Sequence, residues 1–166
     1  MSHRSVVLSK HQIAQKTERI AYQIYESTFE EKVVYIGGIT GNGFLFAERL
    51  VLKLSSISKQ EVRLFEISIT KDNPLKNEVR ISVDDSDLSG ATCILVDDVI
   101  NSGRTMLYAV RKLLEKDLLV LKVATLVNRT HRRFPVHADF VGLNLSTTMK
   151  EKIEVDLGKN EAAYLV

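Results

Sequence analysis

Four consecutive apolar residues, Cys93-Ile94-Leu95-Val96, run directly into two acids, Asp97-Asp98. A strand with no polar face must be covered on both sides, and such strands belong to the interior of parallel sheets. Val33-Val34-Tyr35-Ile36 has the same character, and Val120 to Val127, though broken by Lys122, is expected to be a further strand. Between these runs the apolar spacing is helical, over Phe44 to Ser56 and over Gly103 to Lys116. Strands alternating with helices define an α/β fold with a mostly parallel, twisted sheet flanked by helices.

The rest of the chain is consistent with that frame. Ser9 and Gln12 have the spacing of a capping box, and Ile13, Ile20 and Ile24 continue it, so a helix is expected over Lys10 to Glu26 and the chain opens with a helix. Gly37 to Gly43 is expected to be a loop, and Val62 to Ile69 a strand. Thr70 to Leu88 is long and polar, either a mobile functional loop or a short hairpin, and the mobile loop is preferred. Beyond Asn128 come a basic segment, a short strand at Phe140-Val141-Gly142, an alternating stretch at Lys152 to Leu157 and a terminal apolar strand, together expected to form a small C-terminal hood.

The 166 residues suit one domain, residues 1–166. A net charge of +2 gives no argument for nucleic acid by itself. The lone cysteine, Cys93, has no internal partner and is expected to be a core thiol. No apolar signal-peptide core is present, and Lys122 interrupts the longest apolar stretch, Leu118 to Val127, so the expectation is a cytoplasmic protein without a membrane partner.

Ligands of open parallel sheets bind beyond the carboxyl ends of the strands, where Asp97 and Asp98 are delivered. Directly after them, Asn101-Ser102-Gly103-Arg104-Thr105 offers small residues, hydroxyls and unpaired N–H groups at a helix start, a setting that favours a phosphate. A ligand serving both halves carries a phosphate at one end and hydroxyls or a metal a short distance away. Ribose 5-phosphate has that form.

The segment from Cys93 to Thr105 resembles the signature of type I phosphoribosyltransferases, in which apolar residues, two acids and a small polar loop ending in Gly-x-Thr bind phosphoribosyl pyrophosphate. The resemblance implies that Asp97 and Asp98 engage the ribose hydroxyls, directly or through Mg²⁺, and that Asn101 to Thr105 hold the 5-phosphate. It also implies that the loop after the first apolar strand, with Thr40, Gly41 and Asn42, binds pyrophosphate. Asn42 stands where the pyrimidine branch has arginine, so part of the pyrophosphate affinity is expected from Lys71 or Arg80. A P-loop kinase is disfavoured because its G-x-x-x-x-G-K-[ST] string is absent, and a dinucleotide-binding fold because Gly41-Asn42-Gly43 lacks the third glycine.

Leu126 to Gly142 is similar to the pyrimidine-operon regulators that are also uracil phosphoribosyltransferases, and that resemblance extends over nearly the whole chain. Hypoxanthine-guanine phosphoribosyltransferases are the rival. They keep an acid in the phosphate loop, where this chain has Asn101, and a lysine after the next strand, where it has Asn128; Asp156 matches one of their positions. Asn128 and Arg129 would meet the base, uracil being preferred over an oxopurine. The family implies a homo-oligomer. The run Arg129 to Arg133 is a solvated loop, an anion site, an oligomer interface or an RNA contact. RNA as a partner is disfavoured, because Glu18, Tyr22 and His137 fall where the regulators carry threonine, histidine and arginine, whereas Arg19 preserves part of their charge. His131 and His137 lack the companions of a zinc site.

Overall fold

The computed structural model describes residues 4–166. Among the described residues the first element is a strand, β1 (Ser5–Ser9), before α1 (Lys10–Thr28). The expected helix is there with its capping box: Gln12 N–H donates to Ser9 Oγ at 3.3 Å and Ser9 N–H to Gln12 Oε1 at 2.9 Å. The expectation of a helical opening fails because β1 pairs antiparallel with β9 (Ala162–Leu165) at the far end of the sequence.

Next come β2 (Val33–Ile39), α2 (Asn42–Ile57), β3 (Glu61–Ser68) and the two-residue β4 (Arg80–Ile81). A four-residue α3 (Asp85–Leu88) leads into β5 (Thr92–Ile100), then α4 (Arg104–Leu113), β6 (Val120–Arg129), β7 (Phe140–Leu145), β8 (Ile153–Asp156) and β9. The main sheet has the order β4-β3-β2-β5-β6-β7, parallel except for β4. The second sheet, β1-β9-β8, is antiparallel and forms the hood. The hood therefore draws on both ends of the chain.

The apolar runs are buried on both faces as their composition requires. Ile94 and Val96 of β5 pack with Ile13, Ile20, Phe46 and Leu50 of α1 and α2, while Cys93 and Leu95 pack with Met106, Ala109 and Leu113 of α4. Each fully buried isoleucine or leucine here contributes about 1.5–3 kcal/mol of transfer free energy. Cys93 is buried, and that burial pushes its thiol up to about 12.

Two expectations need correction. Gly37 and Gly38 lie within β2 and not in a loop, paired with β3 and β5, and a Cβ on Gly37 would come within 2.5 Å of the Phe65 ring and one on Gly38 within 2.8 Å of Ala47. Close packing, not a turn, explains those glycines. The segment after β3 contains a hairpin, since β4 pairs with β3 through Ser68↔Arg80 and Ile67↔Ile81.

Candidate active site

β5 pairs with β2 only as far as Gly38↔Val96, but with β6 as far as Ile100↔Asn128. The acids therefore lie within the strand, where the β2 side has given way to the start of α2. Gly43 leaves the room: a Cβ there would lie 2.5 Å from Asp97 Oδ1 and 3.2 Å from Asp97 Cα. Asp97 and Asp98 are only 3% and 7% exposed. Asp97 Oδ1 accepts from Asp98 N–H at 3.0 Å, and Thr125 Oγ1 donates to the Asp98 carbonyl at 3.2 Å.

Lys71, on the loop after β3, brings Nζ to 3.3 Å from Asp97 Oδ1 and 3.7 Å from Asp98 Oδ1. Burial pushes the Asp97 carboxyl well above the usual carboxylate range, the like charge of Asp98 pushes the same way, and Lys71 only partly opposes them. Burial also opposes charge on Lys71, but the two carboxylates outweigh it and raise the ammonium's pKa. Two adjacent buried carboxylates are hard oxygen donors short of positive charge. Among the described residues no group of three or more His, Cys, Asp or Glu converges. Mg²⁺ commonly takes one or two carboxylates and completes its shell with substrate phosphates and water, so this donor set fits it.

The following turn leads into the N-terminus of α4. Gly103 caps α4 at φ +84°, a conformation that favours glycine, and a Cβ there would also meet the Phe134 carbonyl at 3.0 Å. The first helical bond runs from Leu107 N–H to the Gly103 carbonyl at 3.0 Å, which leaves the preceding N–H groups outside the ladder. Arg133 and Phe134 N–H both donate to the Ser102 carbonyl, at 3.2 and 3.0 Å, docking the basic segment onto this turn.

A cavity of about 760 Å³ unites these elements, and Asp97, Asp98, Asn101, Ser102, Gly103 and Thr105 line it. Arg104 does not. Its guanidinium lies 6.0 Å from the Tyr108 ring instead, and its backbone N–H donates to Ser102 Oγ at 3.3 Å. Of the glycine loop, Asn42 lines the cavity, whereas Thr40 and Gly41 do not; the Thr40 N–H and hydroxyl both donate to the Ile67 carbonyl, at 3.0 and 2.9 Å. Arg129 lines the cavity, donating to Thr147 Oγ1 and the Thr148 carbonyl. Asn128 does not line it: its Nδ2 donates to Asn144 Oδ1 at 2.8 Å and its Oδ1 accepts from Arg132. Lys71 is present and Arg80 is not.

Two asparagines fasten the hood. Asn101 exchanges hydrogen bonds with the Ile153 carbonyl and N–H, both at 3.4 Å, and Asn42 Nδ2 donates to the Val155 carbonyl at 2.7 Å. Ile153 and Val155 present the edge of β8 that is not paired with β9. The hood also brings Arg4 and Lys152 to the cavity. Neither was found in the sequence, because no local spacing announces a contact made through β1 and β8. Gly43 was also missed, although its place at the helix start was the available signal.

The chain matches the phosphoribosyl transferase domain over residues 3–157. It is 34% identical to the bifunctional protein PyrR of Brevibacillus brevis, covering 100% of this chain and 97% of that one. Identity to the bifunctional protein PyrR of a Bacillus cereus strain is 32%, over 97% of this chain and 94% of that one. A hypoxanthine-guanine phosphoribosyltransferase of Bacillus anthracis shares the fold, with a TM-score of 0.76, 23% identity and coverage of 98% and 96%. With two buried acids and a glycine-capped turn at the carboxyl edge of its sheet, the chain belongs to the phosphoribosyltransferase family, among the relatives of the bifunctional PyrR proteins.

Proposed function

We propose that the chain transfers ribose 5-phosphate from phosphoribosyl pyrophosphate to uracil, giving UMP and pyrophosphate. The observation that carries this reading is the single cavity in which Asp97 and Asp98 adjoin the Asn101–Thr105 turn. That turn holds the 5-phosphate through backbone N–H groups and hydroxyls at the start of α4. Asp97 and Asp98 orient the ribose and stabilise the positive charge that develops on it as the base attacks the anomeric carbon. They would also hold Mg²⁺, which neutralises charge on the departing pyrophosphate. Asn42 and Lys71, which both line the cavity, form the pyrophosphate side. β8 covers the cavity and limits hydrolysis of the activated sugar.

For the base, Asn101 offers no carboxylate to a purine ring nitrogen, and its amide is engaged by Ile153. Asp156, the position matching the purine enzymes, accepts from Gly158 N–H at 2.7 Å and does not line the cavity. Both features favour uracil over an oxopurine. Arg129 is the residue we assign next to the base; the Asn128 side chain ties β7 and the basic segment together instead.

RNA binding is weak in this reading. The Arg19 guanidinium donates to the Val141 and Gly142 carbonyls at 3.1 and 2.7 Å, and Glu18 pairs with Lys53 at 3.4 Å, so the donors of Arg19 and the charge of Lys53 are engaged within the chain. No described helix is long and apolar enough to cross a membrane. A cytoplasmic homo-oligomer completes the proposal. The test of the base assignment is a panel of uracil, hypoxanthine and guanine with phosphoribosyl pyrophosphate and Mg²⁺. Uracil is expected to give the highest kcat/KM, and an oxopurine ahead by about tenfold, or 1.4 kcal/mol, would move the chain to the purine branch.

A further inference from the structure

Lys71 makes contacts that a simple pyrophosphate ligand would not need. Its Nζ sits against both Asp97 and Asp98, 3.3 and 3.7 Å away, although its own side chain is 43% exposed while theirs are 4% and 10% exposed. The lysine has a way out to solvent and the acids do not. It is carried on a loop with its own internal ties: Asn77 Nδ2 donates to Thr70 Oγ1 at 2.9 Å, and Lys76 N–H to the Asn73 carbonyl at 3.0 Å. The side chain is therefore presented by a formed loop and does not reach the acids from a random tail.

We propose that Lys71 is a built-in counter-ion, occupying the position between Asp97 and Asp98 that a divalent cation takes, so that the cation enters with the substrate and not before it. This rests on the functional reading above. Mg²⁺ requires oxygen contacts of about 2.0–2.1 Å, and an ammonium hydrogen-bonded to Asp97 Oδ1 and ion-paired with Asp98 Oδ1 blocks that approach. It also cancels one of the two negative charges that would draw the cation in. Phosphoribosyl pyrophosphate relieves the block because it brings its own anionic oxygens, to which both the cation and the displaced ammonium can turn. Asn42 carries no charge and its amide is tied to Val155, so the glycine loop itself supplies no cation for the leaving group. One lysine then serves two positions in sequence: against the acids in the free protein, against pyrophosphate in the loaded one.

The experiment is a Mn²⁺ titration of the full chain followed by electron paramagnetic resonance at pH 8, with wild type, Lys71→Met and Lys71→Arg, each with and without phosphoribosyl pyrophosphate. Without substrate, Lys71→Met is expected to bind Mn²⁺ about tenfold tighter than wild type, since a unit charge a few ångströms from a divalent ion is removed, while Lys71→Arg stays near wild type. Substrate is expected to raise the wild-type affinity to the Lys71→Met level or beyond. Equal substrate-free affinities for wild type and Lys71→Met overturn the proposal and leave the functional reading standing. A wild type that takes up no Mn²⁺ even with phosphoribosyl pyrophosphate overturns the functional reading, and the proposal with it.

Discussion

Replacing Gly43 with alanine should separate activity from stability. Its Cβ would lie 2.5 Å from Asp97 Oδ1 and 3.2 Å from Asp97 Cα, so both the carboxylate and its backbone must yield. Asp97 is 3% exposed and cannot swing into solvent. Overpacking of this kind costs about 1–3 kcal/mol. Gly43 lies in the first turn of α2, where alanine returns up to about 1 kcal/mol of helix propensity. The net loss is about 0–2 kcal/mol, which in a chain of this size lowers Tm by no more than about 8 °C. Displacing a catalytic carboxylate by about 1 Å costs about a hundredfold in rate. Phosphoribosyl-pyrophosphate-dependent turnover at saturating Mg²⁺, measured beside thermal denaturation, should show kcat/KM down about a hundredfold in a folded protein. A variant within about threefold of wild type would refute the claim that Gly43 fixes the position of Asp97.

Asn42→Ala leaves the Val155 carbonyl without its 2.7 Å partner, at a cost of about 1 kcal/mol. The expected outcome is a looser hood, seen as faster limited proteolysis within residues 146–161 and a raised KM for phosphoribosyl pyrophosphate; unchanged proteolysis would show that the amide does not fasten β8. Filter binding to the leader RNA of the organism's pyrimidine genes, at near-physiological salt with and without uridine nucleotide, should show only weak association, and nanomolar nucleotide-dependent binding would contradict that expectation.

The main sheet could be read from the sequence because its strands announce themselves locally. Cys93 to Val96 has no polar face and Val123 to Val127 only Thr125, and both are buried on both sides. The acids and the turn after them were equally plain, since β5, the loop and α4 are continuous in the chain. The hood was only half visible. Val6-Val7-Leu8 is a short run whose partner is Ala162–Leu165, and no local pattern joins residues that far apart. For the same reason Arg4 and Lys152 were missed, and Asn128 was assigned to the base although Asn144 and Arg132 claim its side chain. Gly37 and Gly38 misled for a different reason: glycine marks a loop or a close contact alike, and only the neighbouring Phe65 and Ala47 decide between them.

The most direct test of the account is phosphoribosyl transfer by a protein carrying Asp97→Asn and Asp98→Asn together, compared with wild type at saturating Mg²⁺ and uracil. If the acids act on the ribose as proposed, their loss removes transition-state stabilisation of about 3 kcal/mol or more, so turnover should fall by at least about a hundredfold while circular dichroism shows an intact fold. Turnover near the wild-type rate in the folded double variant would contradict the account, because the buried pair at the end of β5 would then not be the centre of the chemistry.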